Sequence, residues 1–472
     1  MKTDGRGKPL PNDMDERFAD KRVHVIGLGS YGTGREVARV LAARGAQVTV
    51  SDIKTEAELV DEIAALGDTD VRVQAGDEAY HGIEQADMVV PSPGVPLDIP
   101  PLLRAADLGV PVVSEIEVAY WIAPCPIIAV TGTKGKSTTT TLIGELLRDE
   151  GKKVRVGGNI GRPLIALADQ AGADELLIAE VSSFQLEATR EFRPMVAVLL
   201  NLFPDHLDRH ASMADYRAAK AKLFANQRAD DTAIINRDDA EAWALRSLAQ
   251  AQVVPFSLSE ALPDGAEVAD GWLRVKGRAV CRVEAVRLRG RHNLANALAA
   301  LAAAGAAGAL LDKAGETLAR FEGLEHRLEM AAVVDGVTYV NDSQATTPDA
   351  AIVALESFPE HVALIAGGRP KVHDFTALAA TIAKRGADLV VMGEAADEIA
   401  AAARVSGVRS IERAADLPSA VALARRRARP GDVVLLSPAC ASFDMFRNMA
   451  ERGRMFKDIA RGLTTQERTK PS

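Results

Sequence analysis

Residues 127–138 read Ile127-Ile128-Ala129-Val130-Thr131-Gly132-Thr133-Lys134-Gly135-Lys136-Ser137-Thr138, an apolar run that ends in a glycine-lysine-serine loop and continues as a helix-like stretch. Glycines let successive backbone N–H groups turn inward around phosphate oxygens, a lysine reaches the outer phosphates, and a hydroxyl at the helix start can ligate Mg²⁺. The position five before Gly135 is Val130, so this is a shorter form than the full Walker pattern. A strand feeding such a loop and a helix predicts a parallel α/β sheet with ATP at its carboxyl edge, bound by Gly132, Thr133, Lys134, Gly135, Lys136, Ser137 and Thr138.

Working outward, an earlier strand, Val23 to Ile26, meets Gly27-Leu28-Gly29-Ser30-Tyr31-Gly32 and then a helix-like stretch from Arg35 to Arg44. The next strand, Val48 to Ser51, ends at Asp52, twenty residues past Gly32, where a dinucleotide fold places its ribose-binding acid. By itself this motif fits a nicotinamide cofactor, another diphosphate ligand such as a UDP sugar, or a tight packing turn. A strand from Ala86 to Val90 runs into Pro91-Ser92-Pro93-Gly94, at the strand end where ligands of open parallel sheets collect. Beyond the phosphate loop, strands Leu176 to Ala179 and Val196 to Leu200 lead to Glu180 and to Asp205-His206-Leu207-Asp208. A third block shows strands at Val337 to Val340, Val362 to Ala366, Leu389 to Met392 and Val433 to Leu436. The expected organisation is a loose polar tail over 1–19, a Rossmann-like domain over 20–122, a central P-loop ATPase domain over 123–322 and a second Rossmann-like domain over 323–472.

Composition narrows the function classes. At 472 residues, 47% hydrophobic and 26% charged, the chain can bury several cores. A formal charge of −9 argues against a broad nucleic-acid surface, and Arg425-Arg426-Arg427 reads as a solvated helix end. Cys125, Cys281 and Cys440 have no metal-ligand spacing, so they read as buried small hydrophobes in a reducing compartment. The polar N-terminus has no export-signal core, and the alanine-rich run Ala297 to Leu311 is too short for a membrane span, so it is expected to be a buried helix. A cytoplasmic protein without a membrane anchor is expected. His210 and His373 read as surface residues.

One lysine sits on an unexpected face. Ser212 and Asp215 resemble a capping pair opening a helix through about Asn226. Met213, Tyr216, Leu223 and Phe224 form its apolar stripe, and Lys220 falls on that stripe while Lys222 points away. A buried ammonium is costly unless it is paired or chemically changed, although a long side chain can also snorkel past the stripe.

Thr131 to Thr138, Gly157-Gly158-Asn159-Ile160-Gly161, Glu180-Val181-Ser182-Ser183-Phe184-Gln185-Leu186-Glu187, Asp205-His206, Tyr216-Arg217-Ala218-Ala219-Lys220 and His292-Asn293-Leu294-Ala295-Asn296-Ala297 together resemble the Mur ligase family. The glycine-rich start, the Ser-Pro-Gly loop, Ser114-Glu115-Ile116-Glu117, Asn341-Asp342-Ser343 and Ser437 to Ser442 are most similar to the branch that adds D-glutamate to UDP-N-acetylmuramoyl-L-alanine. The resemblance implies three domains, holding UDP, ATP and the incoming amino acid, whose closure assembles the site. It also implies a cytoplasmic, monomeric enzyme of peptidoglycan precursor synthesis, and so of cell shape and division.

For the site, the resemblance implies that Ser137 and Glu180 hold Mg²⁺ on the ATP phosphates and that His206 helps hold a second metal. Lys136 neutralises charge, and Lys220 carries CO₂ as a carbamate, which turns a cation into a metal ligand. Asn296, Arg327 and Asp342 would contact ATP. Gly29, Ser30, Tyr31, Asp52, Lys54 and Ser92 would hold the UDP end, Asn159 the muramoyl portion, and Thr346, Lys371 and Ser442 the glutamate carboxylates. Departures from the family pattern are Gln344 where a lysine is common, Met449 where an aromatic residue packs the glutamate, and the Ser30-Tyr31 pair. An L-glutamate-adding variant and sister ligases for other amino acids stay open, but there is no Asp-Asn-Pro-Arg signature for diaminopimelate, and a folate enzyme would not need the first glycine motif. An oxidoreductase or a nucleotide-binding regulatory protein would not explain Lys220 beside a phosphate loop, a glutamate and a histidine.

Overall fold

The computed structural model describes residues 17–28, 32–206, 209–288 and 290–466. Its described strands form three sheets, each covered by helices. In the first, β1 (Arg22–Ile26), β2 (Gln47–Asp52), β3 (Val71–Ala75) and β4 (Met88–Pro91) are all parallel, in the order β3-β2-β1-β4.

The second sheet starts with β5 (Ile127–Thr131), β6 (Lys153–Gly158), β7 (Glu175–Glu180), β8 (Val196–Leu199), β9 (Thr232–Asn236) and β10 (Gln252–Ser257). It ends with β11 (Ala266–Ala269), β12 (Trp272–Val275) and β13 (Arg278–Arg282), in the order β13-β12-β11-β10-β9-β8-β5-β7-β6. The third contains β14 (Glu329–Val334), β15 (Val337–Asn341), β16 (Val362–Gly367), β17 (Asp388–Met392), β18 (Ile411–Arg413) and β19 (Val433–Leu436), ordered β14-β15-β19-β16-β17-β18. The strands expected from the sequence are present within one or two residues of their expected ends.

The sheets are less purely parallel than expected. β11-β12-β13 and β14-β15 pair antiparallel. Their turns, Asp270-Gly271, Lys276-Gly277 and Asp335-Gly336, each place two consecutive residues at positive φ. This is the two-residue hairpin whose twist matches that of the flanking strands, and glycine at its second position avoids a Cβ clash.

The chain divides into two compact units, one running to Val286 and including Leu294–Ala319, the other made of Arg287–Asn293 and the chain from Arg320 onward. In the first unit one apolar core runs from Val25 and Leu41 through Ile116 and Ile165 to Leu199 and Phe224, and a smaller one gathers Ile26, Val89 and Leu102. The expected tail to Ala19 is too long. Phe18 is fully buried in this core beside Trp121, whose ring also carries the Arg17 guanidinium at 4.3 Å. Burying a phenyl ring contributes about 1.5–3 kcal/mol, enough to hold the segment down.

Two carboxylates lock helix Glu115–Ile122 onto the middle sheet. Glu117 accepts the N–H groups of Arg190, Glu191 and Phe192 at 3.0, 2.6 and 3.0 Å. Glu115 accepts from Ile165 N–H at 2.6 Å, and burial pushes its carboxyl up to about 7 from an ordinary 4.5. A raised acid binds more protons folded than unfolded, so its stabilising contribution is full below about 4.5 and is lost as pH rises through about 7. Glu115→Gln is therefore expected to flatten the fall of the urea midpoint between about pH 4.5 and 7. An unchanged slope across that window would assign the pH dependence to other groups.

The three cysteines are buried and free, as expected. The alanine-rich run is helical only as far as Ala306, the end of helix Arg291–Ala306, and its last five residues, through Gly308 at positive φ to Leu311, lie beyond it. The described helix residues contain no segment long and apolar enough to cross a membrane. Arg425 and Arg427 occupy the last turn of helix Leu417–Arg427, where they pair with Asp335 and Glu412.

Candidate active site

The site elements of the first unit converge because β8, β5 and β7 are neighbours whose carboxyl ends carry, respectively, Asn201 to His206, the phosphate loop and Glu180. β5 is buried at every position. It delivers the chain to Gly132 at φ 153° and Gly135 at φ 86°, and helix Lys136–Asp149 starts directly after. A Cβ on Gly135 would fall 2.3 Å from Asn296 Oδ1, so only glycine lets Asn296 approach the loop. Ser137 and Thr138 are buried in the first helical turn.

The loop is pinned by a residue that was not singled out in the sequence. Asn201 Oδ1 accepts from Thr133 N–H at 3.0 Å and Lys134 N–H at 2.8 Å, while its Nδ2 donates to the Lys134 carbonyl at 3.0 Å. Its loop partners lie 67 and 68 residues away in the chain, so no local spacing points to it. Lys136 Nζ folds back to the carbonyls of Gly132 (3.0 Å) and Thr133 (2.9 Å), and Lys134 pairs with Asp205 at 3.4 Å.

Glu180 ends β7, and the capping pair Ser182 and Gln185 turns the chain into helix Ser183–Glu187. Its Oε1 accepts from Asn159 Nδ2 at 2.9 Å; its Oε2 is buried without a hydrogen-bond partner among the described residues. An orphaned buried carboxylate oxygen costs energy unless a cation or a ligand meets it. With the Ser137 hydroxyl at the helix start, this oxygen-rich donor set fits Mg²⁺.

Lys220 is buried, as its helical position implied. Helix Met213–Ala221 is capped by Ser212, whose Oγ accepts from Asp215 N–H, and continues as a 3₁₀ turn over Lys222–Phe224, shorter than expected. Lys220 Nζ donates to Thr131 Oγ1 at 3.2 Å and to the Gly132 carbonyl at 3.0 Å, and sits 4.8 Å from the Tyr216 ring centre. Burial, and then the Lys136 charge, hold its amine well below the ordinary lysine range. Tyr216 hydrogen-bonds Thr133 at 3.1 Å, and burial pushes its phenol up to about 12, which keeps it neutral. Lys222 does not point freely away. It is half-buried and donates to the Glu187 carbonyl.

His206 is exposed at φ 55°, with its ring 5.0 Å from Phe184; Leu207 and Asp208 lie outside the described residues. His210 is buried, not on the surface as expected, because it stacks on Phe184, contacts Ser183 Oγ at 3.0 Å and lies 3.4 Å from Glu187. His373 is exposed, as expected.

At the first sheet, Gly29, Ser30 and Tyr31 lie outside the described residues. The neighbouring loop is held by Asp52, which accepts from Leu28 N–H (3.1 Å) and Lys54 N–H (3.0 Å), and by Ser92 Oγ, which donates to the Gly27 carbonyl at 2.6 Å. Lys54 is exposed. Arg209, also not singled out in the sequence, donates to the Val95 carbonyl at 2.9 Å and to Glu187 at 3.1 Å, tying the Ser-Pro-Gly loop to the middle sheet.

In the second unit, β15, β19 and β16 are adjacent, and their carboxyl ends lead to Asp342, to Ser437–Ser442 and to Gly368–Lys371. Lys371 Nζ donates to Thr346 Oγ1 at 3.0 Å, and Ser442 is buried. Asp342 is buried and accepts from Ser437 Oγ (2.8 Å) and Leu328 N–H (3.1 Å); burial pushes its carboxyl up to about 7. Arg327 Nε donates to Gln344 Oε1 at 3.2 Å. Gln344, where the family pattern commonly has a lysine, thus supplies an acceptor to Arg327.

The chain matches the MurD-like N-terminal domain over residues 21–114, the Mur ligase middle domain over 130–304 and the Mur ligase glutamate ligase domain over 326–440. A UDP-N-acetylmuramoylalanine--D-glutamate ligase of Pelotomaculum thermopropionicum is 48% identical over 454 residues, covering 95% of this chain and 99% of the relative. The chain belongs to the Mur ligase family. A relative of the same name in Koribacter versatilis is 43% identical, covering 96% of this chain and 100% of its own. Among solved Mur ligases, the UDP-N-acetylmuramate-alanine ligase MurC of Thermotoga maritima has the same fold, with a TM-score of 0.59 at 20% identity over 94% of this chain and 99% of that one. The Mur ligase fold thus accounts for all three sheets.

Proposed function

We propose that this chain is the ATP-dependent ligase that joins D-glutamate to UDP-N-acetylmuramoyl-L-alanine in cytoplasmic peptidoglycan precursor synthesis. The observation that carries the reading is near-full-length similarity at up to 48% identity to ligases of that name, with a buried lysine, an orphaned glutamate oxygen and a phosphate loop at one sheet edge.

A carboxylate is a poor electrophile because its leaving group would be oxide. Transfer of the ATP γ-phosphoryl group to the substrate carboxylate gives an acyl phosphate and ADP; the glutamate amine then attacks the acyl carbon, and phosphate leaves with the bonding pair. Phosphoryl transfer of this kind is mostly positioning and charge neutralisation. The loop N–H groups and Lys136 hold the phosphates, and Lys136 exchanges its two carbonyl acceptors for phosphate oxygens. Glu180 and Ser137 would hold Mg²⁺, which would supply positive charge to offset the negative charge gathered between carboxylate and γ-phosphate.

Because the Lys220 amine is easily deprotonated, it can take up CO₂, since only the neutral amine forms a carbamate. With His206, a carbamate on Lys220 would supply donors for a second metal. Asn296, whose side chain abuts Gly135, faces the nucleotide. Arg327 and Asp342 also serve ATP. Thr346, Lys371 and Ser442 bind the glutamate carboxylates, since two hydroxyls and an ammonium suit a dianion. Gly29, Ser30, Tyr31, Asp52, Lys54 and Ser92 serve the UDP end, and Asn159 the muramoyl portion.

The test is phosphate release from ATP with purified protein, Mg²⁺ and UDP-N-acetylmuramoyl-L-alanine, comparing D-glutamate, L-glutamate and no amino acid. Release that requires D-glutamate is the expected result. Release with L-glutamate alone would move the assignment to a variant of opposite chirality, and none with either would overturn it.

A further inference from the structure

Arg452 has no solvent exposure, and among the described residues its guanidinium donates to no carboxylate. Nε donates to Ser343 Oγ at 2.9 Å. Nη2 donates to the Ser343 carbonyl at 2.9 Å and the Cys440 carbonyl at 3.1 Å, and Nη1 to the Ala441 carbonyl at 3.4 Å. Ala441 is itself bridged to Arg369, the two exchanging both backbone hydrogen bonds at 2.9 Å. A Cβ on Gly368 would lie 3.3 Å from Arg452 Nη1 and 2.2 Å from the Ala441 carbonyl, so this glycine lets the third loop close onto the same centre.

These three loops leave three adjacent strands, β15, β19 and β16. Each carries one of the residues assigned above to the amino acid. Thr346 follows Ser343 by three positions, Ser442 follows Ala441 directly, and Lys371 follows Gly368 by three. A buried guanidinium satisfied mainly by backbone carbonyls is an expensive stabilising device compared with an apolar residue. Burial pushes its pKa down to about 10, which still leaves it charged at neutral pH. The planar fork can donate to several loops in fixed directions, which a lysine cannot do.

We propose that Arg452 is the positioning residue of the amino-acid pocket, its single guanidinium setting the spacing of the loops that present Thr346, Lys371 and Ser442. The proposal rests on the glutamate-ligase reading.

The test compares wild type, Arg452→Lys and the milder Ser343→Ala, reading KM for each substrate and hydrogen–deuterium exchange in residues 343–346, 367–371 and 440–442. Loss of a supporting shell typically costs 10–100-fold. Arg452→Lys is thus expected to raise the KM for D-glutamate by about that factor, with the KM for ATP and for the UDP substrate within about twofold and faster exchange in all three loops. Ser343→Ala should shift the same readouts in the same direction by a few-fold, and it decides the matter if Arg452→Lys does not fold. An active enzyme whose glutamate KM is unchanged, or whose three KM values rise together, would overturn the role of Arg452. Wild type that ligates no amino acid would instead sink the ligase reading, with loop exchange still reporting whether the guanidinium holds the loops.

Discussion

Replacement of Lys220 by methionine is expected to lower the ligation rate by about a thousandfold or more while leaving the thermal midpoint unchanged or raised by a few degrees. The two effects have one cause. The amine is held in a site where burial and the Lys136 charge oppose its protonation, so folding gains little from it, and an apolar side chain of similar length fills the same space without the desolvation cost. The groups left behind are the Thr131 hydroxyl, which keeps its bond to the Val181 carbonyl at 2.7 Å, and the Gly132 carbonyl, which keeps Lys136. Stability and activity moving in opposite directions would mark a residue retained for chemistry. A variant that kept more than about a tenth of the rate, or melted more than about 5 °C lower, would mark Lys220 as structural.

Glu180→Gln is expected to cost about a hundred- to a thousandfold in kcat, with a higher Mg²⁺ concentration for half-maximal rate and little change in the KM for D-glutamate. The amide keeps the volume of the side chain and can still accept from Asn159. What it loses is the charge on the buried oxygen that no described protein group satisfies. The folded structure should therefore tolerate the change while the phosphate site does not. Activity within about threefold of wild type would remove Glu180 from the metal site.

Much of this arrangement was legible because strand ends carry its chemistry. The apolar run 127–130 announced β5, the glycines after it announced the loop, and the helical spacing of Tyr216, Leu223 and Phe224 put Lys220 inside. The antiparallel edges escape a reading of strand periodicity, although Asp270-Gly271 and Asp335-Gly336 are two-residue hairpin signals. The short strands beside them have mixed polarity, which obscures alternation. His210 and Asn201 were not legible. Each is fixed by partners distant in sequence, Ser183 and Glu187 for one and the phosphate loop for the other, which local spacing cannot reveal. Phe18 is not distinguishable from a tail residue by sequence, because one aromatic in a polar segment gives no period.

The grip of Asn201 on both sides of Lys134 bears on how a nucleotide is received. A glycine-rich loop free in solution would have to be ordered by its guest, at about 1–2 kcal/mol for each residue fixed. Here one amide has already imposed the bend, so a phosphate chain meets a finished mould, and binding energy that would be spent on folding the loop is left for bringing the reacting groups together.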